Sequence, residues 1–251
     1  MKAFILFNMK KIKYLLLQAR KENDPMIKNE LDCFINKLKC NKKNITNIDI
    51  IRDNINKNFI AKYDVVLIGG SGDFSIATGG EWMSKVMDVM SHLYEVSKVT
   101  FASCWGFQAM AAAKGGKVVN DLKRAELGTT KIKLTEDGKK DVVFKKLPNT
   151  FMAQMGHEDI VDKLPNNSIL LASSQKVKNE AFKFKNKPIY CTQFHPELNK
   201  SDLQQRMKTY PNYVTKILGI NQKEFLKNYC YRSKDTEKLI HNFITTYVQT
   251  R

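Results

Sequence analysis

The chain has 251 residues, of which 43% are hydrophobic and 10% aromatic, so it can bury a full core and does not have the composition of a disordered protein. No apolar run approaches the roughly 20 residues of a membrane-spanning helix, and the run at 3–7 is shorter than the roughly 7–15 residues of a signal-peptide core. The net charge of +17 comes from dispersed lysine, with only six arginines, which does not favour specific nucleic-acid binding.

Five cysteines are scattered along the chain without a CxxC pair. An odd number at irregular spacing argues against a disulfide framework and against a structural zinc site, so we predict no metal. The same observation favours a reducing compartment, and we predict a cytoplasmic protein. The cysteines are Cys33, Cys40, Cys104, Cys191 and Cys230.

Short apolar runs alternate with helical segments in the first half of the chain. This alternation predicts a parallel sheet covered by helices on both faces. The run at 64–68 is wholly apolar after its first residue and is predicted to be a central strand. The other predicted strands lie at 3–7, 45–51 and 99–102, and the predicted helices at 25–39 and about 82–93.

Between residues 117 and 148 the pattern becomes shorter and more alternating, which predicts a small antiparallel patch with strands at 131–135 and 141–144. Later strands are predicted at 168–172 and 188–194, and the chain reads as helical from 198 to its end. No linker or repeat interrupts the pattern. We therefore predict a single α/β domain over 1–251 with a flavodoxin-like, mostly parallel sheet, a core of about 1–197 and a helical C-terminal extension at 198–251.

Cys104 lies between the predicted strand at 99–102 and an alanine-rich helical segment. A thiol at the turn between a strand and a helix is exposed to the positive end of the helix dipole, which favours the nucleophilic thiolate. His195 and Glu197 are two residues apart at the end of another predicted strand, so both side chains lie on one side of it. In this arrangement Glu197 can orient the imidazole and His195 can act as the base.

The glycine-rich segment GGSGD (69–73) follows the predicted central strand. Its backbone N–H groups can turn outward without interference from side chains and could serve as donors to an oxyanion. The segment lacks the third glycine of a dinucleotide-binding loop, and the sequence has no GKS/T phosphate loop, so we predict no cofactor. Like Cys104, it follows the carboxyl end of a strand, which indicates a shared site.

Three segments, GGSGD (69–73), SCWGFQ (103–108) and QFHPE (193–197), resemble in order and spacing those of class I glutamine amidotransferases. The chain is most similar to stand-alone members and to the amidotransferase domain of GMP synthases. The resemblance implies that Cys104 attacks the side-chain amide of glutamine, giving a γ-glutamyl thioester and ammonia. It also implies that His195 is the base, that Glu197 orients it, and that the N–H groups of Gly70 and Trp105 form the oxyanion hole.

The resemblance implies further substrate contacts. Gln108 matches a residue lining the glutamine pocket, and the segment 155–159 resembles one that closes over the α-amino and carboxylate groups. Two positions depart from the family pattern, because Ala102 and Glu158 stand where the family or GMP synthases have glycine. A carboxylate at Glu158 could pair with an α-amino group or narrow the pocket. The implied substrate-binding residues are Gln108, Gly156, His157, Glu158 and Asp159.

Three functions are consistent with these residues. The first is a glutamine-hydrolysing amidotransferase whose ammonia acceptor is a separate synthase subunit. The second is a stand-alone γ-glutamyl hydrolase or peptidase, which an open pocket beyond the δ-carbonyl would favour. The third is a non-catalytic binding protein, which has no need of Cys104, His195 and Glu197 together. The expected ligand is a small molecule, L-glutamine or another γ-glutamyl compound.

Overall fold

A computed structural model describes residues 12–248. The strands are β1 (Tyr14–Gln18), β2 (Ile45–Asp49), β3 (Val65–Ile68), β4 (Thr100–Ser103), β5 (Lys117–Asn120), β6 (Glu126–Leu134), β7 (Thr150–His157), β8 (Asp159–Lys163), β9 (Ser168–Ser173), β10 (Ala181–Phe184) and β11 (Ile189–Thr192). The helices are α1 (Met26–Leu38), α2 (Lys57–Ala61), α3 (Met83–Glu95), α4 (Trp105–Ala113), α5 (Glu136–Lys140), α6 (Lys200–Thr209), α7 (Pro211–Leu218), α8 (Gln222–Asn228) and α9 (Leu239–Tyr247).

Nine strands form one mixed sheet in the order β2-β1-β3-β4-β11-β10-β9-β6-β7. The pairs from β2 to β11 are parallel, and those from β11 to β7 are antiparallel. β5 and β8 form a separate antiparallel pair. The predicted α/β class, with a parallel centre and antiparallel additions, is confirmed. Within residues 12–248, no helix combines the length and the apolarity that crossing a membrane requires.

Side chains of β1 alternate between two buried layers, one on each face of the sheet. Tyr14 and Leu16 belong to the layer that contains Phe34 of α1 and Phe243 of α9. Leu15 and Leu17 belong to the opposite layer, to which α3 and α4 contribute. In each layer, the apolar faces of the helices are buried against one face of the sheet. This removal of apolar surface from water is the main driving force for the arrangement.

The C-terminal helices form a third apolar cluster outside the two main layers. Leu203 and Met207 of α6, Val214 of α7 and Phe225 of α8 pack together with Leu127 of β6. α6 begins with a capping box, in which the side chains of its cap residue and of its third residue each accept a hydrogen bond from the other's backbone N–H. This packing holds α6 and α7 beside the carboxyl ends of the parallel strands.

Several predicted boundaries differ from the structure. The predicted strand at 3–7 lies outside the described residues. β1 was not predicted. The predicted strand at 141–144 is wrong. The carboxylate of Asp141 accepts hydrogen bonds from the N–H groups of Val143 (2.9 Å) and Phe144 (3.0 Å), and this local turn replaces an extended strand.

The parallel strands β3, β4 and β11 bring three loops to one edge of the sheet. In register, Ile68 lies beside Ala102, and Ser103 lies beside Thr192. The residues that follow these strands, among them Gly70, Cys104 and His195, therefore emerge at the same carboxyl edge, which is where ligands bind in sheets of this kind.

Gly106 offers a test of the close packing between α4 and β3. A Cβ at this position would lie 2.7 Å from Cγ2 of Ile68 and 3.0 Å from its carbonyl oxygen. Gly106→Ala should therefore destabilise the protein by about 1–3 kcal/mol in urea unfolding, although alanine is the better helix former. Gly72→Ala is the matched control, because a Cβ there meets no atom within 4 Å. Equal stability of the two variants would contradict the steric explanation.

Candidate active site

Cys104 occupies a sharp turn between β4 and α4, with φ 51° and ψ −103°. A residue with a side chain adopts this conformation only where the surroundings impose it. The N–H of Cys104 donates to Thr192 O (2.7 Å), and the N–H of Gly106 donates to Gly69 O (3.1 Å). These bonds hold Cys104, which is 3% exposed, at the N-terminus of α4.

His195 is held between a carboxylate and the thiol. Its Nδ1 lies 2.6 Å from Oε1 of Glu197, and its backbone N–H donates to Gln154 O (2.9 Å). His195 is 4% exposed and Glu197 is fully buried. With Nδ1 engaged by Glu197, Nε2 is the nitrogen left for a hydrogen bond with Cys104.

The surroundings of His195 favour its charged form. Burial lowers the pKa of this imidazole, but attraction from Glu197 and from Cys104 outweighs burial and raises the pKa to about 9. The attraction acts in both directions, because His195 holds the pKa of Glu197 below its usual range despite the burial of that carboxyl. An imidazolium held by a carboxylate beside the thiol can give a proton to a leaving group and take one back from water.

Gly70, a predicted oxyanion donor, lies beside Cys104 and His195. A Cβ at this position would be 2.8 Å from Cε1 of His195 and 3.6 Å from Cβ of Cys104, so the loop approaches the pair closely only because it carries no side chain. Its N–H, however, donates to Oε1 of Glu30 (3.0 Å) and is not free in this structure. The N–H of Trp105, the first residue of α4, has no acceptor within the helix by helix geometry.

Gln108 and Gly156, two predicted substrate contacts, line one cavity together with Cys104. Nε2 of Gln108 donates to Asp159 O (2.9 Å) and to Oε1 of Gln193 (3.3 Å). The carbonyl oxygen of Gly156 is 3.7 Å from Sγ of Cys104. Much of the hydrogen-bonding capacity of Gln108 therefore holds neighbouring strands in place.

Glu158 pairs with Lys216 of α7 at 2.5 Å. The two lie at an open polar cavity of about 330 Å³ that Cys104, Gln108 and Asn120 also line. Opposite charges on the wall of this cavity suit a zwitterionic ligand. Glu158 is thus compatible with its predicted contact to an α-amino group.

Asp159 lines the same cavity, but its carboxylate is already occupied. It accepts hydrogen bonds from Oγ of Ser75 (2.7 Å), the N–H of Ala77 (3.2 Å) and Nδ2 of Asn120 (2.9 Å). These bonds secure the segment that follows the glycine-rich loop. The carboxylate of Asp159 is thus engaged within the protein, and its contact with the substrate stays a prediction.

His157 belongs to a buried cluster that sequence reasoning did not identify. Its Nε2 lies 3.5 Å from Oε2 of Glu126, and the ligand-type atoms of Glu126, His157 and Glu180 lie within 4.8 Å of one another. Such a group could hold a metal ion. Burial, followed by repulsion from Glu126, raises the pKa of Glu180 well above its usual range. A proton on Glu180 can therefore reduce the negative charge of the cluster in place of a metal ion.

A second buried network, centred on Glu30 of α1, was also missed. The carboxylate of Glu30 accepts from Nε2 of Gln18 (2.7 Å), Nη2 of Arg20 (3.1 Å) and the N–H of Gly70 (3.0 Å). Nη2 of Arg206 lies 3.5 Å from Glu30 and 3.9 Å from Glu197. This network connects the glycine-rich loop to the partner of His195.

An apolar cavity of about 310 Å³ opens on another side of Cys104. His195 lines this cavity and does not line the polar one. Its apolar wall comes mainly from the segment that contains α6 and α7, namely Leu198, Leu203, Met207, Tyr210, Pro211 and Tyr213.

The family model for class I glutamine amidotransferases matches residues 26–209, a range that contains Cys104, His195 and Glu197. The chain belongs to this family. The sequence is 32% identical over 153 residues to gamma-glutamyl peptidase 3 of Arabidopsis thaliana, covering 59% of each protein. It is 29% identical over 150 residues to one subunit of the glutamine-hydrolysing GMP synthase of Thermoplasma volcanium, covering 60% of this chain and 69% of the relative.

The matched region spans only part of each of these relatives. The sequence is also 29% identical over 153 residues to the GMP synthase of Petrotoga mobilis, and this match covers 29% of that protein. Among solved structures, the chain is similar to a glutamine amidotransferase from Thermotoga maritima. The TM-score is 0.75 at 16% identity, and the match covers 94% of this chain and 98% of the other. At this identity the likeness establishes a shared fold.

Glu30→Ala tests the buried network. The change leaves Arg20 and Arg206, which are 4% and 6% exposed, without their shared carboxylate. We expect a loss of about 3–5 kcal/mol in the free energy of unfolding, measured in urea, because an uncompensated buried charge is costly. Glu22→Ala, at an exposed pair with Arg52, should change little. If Glu30→Ala unfolds like the parent, the remaining pairs of Arg20 with Asp24 and of Arg206 with Glu197 are sufficient to compensate the two charges.

Glu180→Gln tests whether this carboxyl is protonated. Because its folded-state pKa lies well above the usual value of 4.5, its contribution to stability is complete below that value and is lost as the pH rises. Glutamine keeps the shape without ionising, so the variant should gain stability over the parent by up to about 1.4 kcal/mol per pH unit between about pH 5 and about pH 8.

The free energy of unfolding of Glu180→Gln and of the parent is measured in urea at about pH 5 and at about pH 8. Glu81→Gln is the control, because Glu81 is exposed. A Glu180→Gln protein that is less stable throughout would mean that the carboxylate is ionised and bound to a cation.

Proposed function

We propose that this protein hydrolyses the γ-amide bond of a γ-glutamyl compound through a thioester on Cys104. The observation that carries the proposal is the arrangement of Cys104 at the N-terminus of α4 beside His195, whose Nδ1 lies 2.6 Å from the buried Glu197. A nucleophile, a base and an orienter for that base are what acyl transfer by a cysteine requires. A binding protein has no need of this set or of the strained turn that presents it.

In the first half of the reaction, the thiolate of Cys104 attacks the γ-carbonyl carbon and forms a tetrahedral intermediate. The N–H of Trp105 and the positive end of α4 stabilise its oxyanion. The N–H of Gly70 becomes a second donor once it leaves Glu30. His195 then protonates the departing nitrogen, the C–N bond breaks, and a γ-glutamyl thioester remains.

In the second half, His195 takes a proton from water, and the resulting hydroxide attacks the thioester carbon. The C–S bond breaks, which releases glutamate and restores the thiol–imidazole pair. Glu197 stabilises the imidazolium form of His195 in both halves without itself becoming protonated. In both halves, Cys104 forms and breaks the bonds to the carbonyl carbon and His195 transfers the protons. Glu197 holds His195, and water supplies the second nucleophile.

The first candidate substrate is L-glutamine, with ammonia passed to a separate synthase subunit. The likeness to one subunit of the GMP synthase of Thermoplasma volcanium supports this candidate. The second candidate is a γ-glutamyl compound with a larger leaving group. It is supported by the likeness to gamma-glutamyl peptidase 3 and by the cavity of about 310 Å³ beside His195.

We also propose that the protein is cytoplasmic. All five cysteines lie within the described residues, and all are free thiols. Unpaired thiols that include a proposed nucleophile suit a reducing compartment.

Substitution of the three residues tests the mechanism. Cys104→Ala and His195→Ala should each lower kcat by about 10⁴-fold or more, and Glu197→Ala should be roughly tenfold to a hundredfold milder because an orienter acts only through the base. Release of glutamate from L-glutamine and from γ-glutamyl dipeptides is the readout. Alanine meets the same backbone strain at φ 51° as cysteine, so circular dichroism of Cys104→Ala should match the parent.

Full activity of Cys104→Ala on every γ-glutamyl compound would refute the thioester mechanism. His241→Ala is a matched control, because this histidine lies on α9, outside both cavities.

A further inference from the structure

Cys104 lies at the junction of two cavities of different chemistry. Both are lined by Cys104, Gly156 and Tyr213. The polar cavity contains Gln108 and the Glu158–Lys216 ion pair, whereas the apolar cavity contains His195. A substrate bound across Cys104 would therefore extend into both cavities.

The position of His195 determines which end of the substrate occupies which cavity. The group that protonates a departing nitrogen must lie within hydrogen-bond reach of it, so the leaving group is on the side of His195. The zwitterionic α-carbon end of the glutamyl group then lies in the polar cavity, beside Gln108 and the Glu158–Lys216 pair. The charged residues of the apolar cavity are Arg20, Asp73 and Arg206, which line it together with its apolar wall. The leaving group lies in the apolar cavity.

The apolar cavity is much larger than ammonia requires. Its volume of about 310 Å³ compares with the roughly 30 Å³ that one water-sized molecule occupies in the liquid. Leu203 and Met207 of α6 supply a buried apolar wall, being 1% and 5% exposed. Such a wall favours an aliphatic or aromatic group through burial of apolar surface, and offers ammonia very little.

We infer that the substrate is a γ-glutamyl amide whose leaving amine carries an aliphatic or aromatic group, such as the side chain of the second residue of a γ-glutamyl dipeptide. The inference rests on the proposed thioester mechanism and names its leaving group. The balanced reaction is hydrolysis: water is consumed, the C–N bond breaks, and glutamate and the protonated amine are released. α6 and α7 determine specificity by shaping the cavity beside His195.

The test compares kcat/KM for γ-glutamyl-leucine, γ-glutamyl-p-nitroanilide, γ-glutamyl-glutamate and L-glutamine. We expect the two compounds with apolar leaving groups to exceed both L-glutamine and γ-glutamyl-glutamate by about tenfold or more, since each well-buried apolar group contributes at least this factor. Release of the amine is measured for every compound, with Cys104→Ala as the blank.

Two variants narrow the apolar cavity. Met207→Trp fills it from α6, and Asn212→Trp narrows it from an exposed position on α7 where folding is not at risk. Each should lower the ratio of kcat/KM for γ-glutamyl-leucine to that for L-glutamine by about tenfold. Lys208→Ala is the matched control, because this exposed residue of α6 lies outside the cavity lining and should leave the ratio unchanged.

The outcomes separate the inference from the proposed function. Cys104-dependent hydrolysis with L-glutamine preferred, or an unchanged ratio in both tryptophan variants, overturns the inference and leaves the thioester mechanism standing. Absence of Cys104-dependent hydrolysis with all four compounds overturns both. Labelling of Cys104 by a thiol-directed glutamine analogue in Met207→Trp verifies that this variant retains a folded site.

Discussion

The site depends on one backbone constraint, the turn at Cys104. Its φ of 51° is unfavourable for a residue with a side chain, and the conformation is imposed by hydrogen bonds to β11 and between α4 and the glycine-rich loop. The strand before the turn and the start of the helix after it are both buried, so the turn is held on each side by packed backbone. The same constraint fixes the start of α4, and with it the direction of the helix dipole toward the sulfur.

The buried charges behind this turn form a continuous chain. Glu30 bonds the N–H of Gly70 on one side and approaches Arg206 on the other, and Arg206 in turn approaches Glu197. Each charge is tolerated in the interior because an opposite charge lies next to it. The proposed oxyanion donor and the proposed base are thus positioned by one network, although they come from distant parts of the sequence.

Sequence patterns predicted the fold class, and they singled out Cys104, His195 and Glu197 as the proposed catalytic residues, because both have local signatures. A wholly apolar run such as β3, or a histidine and a carboxylate two residues apart on a strand, is recognisable without knowledge of its neighbours. The antiparallel strands β7, β8 and β10 carry weaker patterns and were missed. At 141–144, an alternating pattern suggested a strand, and a hydrogen bond from the backbone to the carboxylate of Asp141 decided otherwise.

The buried networks could not be predicted with the same ease, because their members are brought together by packing alone. Glu30 did leave a signal, since it occupies a core-facing position of α1 in step with Met26, Cys33 and Phe34. A charged residue in an apolar stripe requires a buried partner. The identity of that partner, and the engagement of the Gly70 N–H, depend on the folded structure.

α6 is constrained along one face by two unrelated requirements. Leu203 and Met207 face the apolar cavity, and Arg206 between them reaches the buried Glu30. Its opposite face, with Ser201, Gln205 and Lys208, is exposed to solvent. Mutational drift is therefore free on the outer face of the helix. A change of the proposed specificity wall must keep the arginine between its two apolar neighbours, so few sequences can reshape this wall while keeping the buried pair with Glu30.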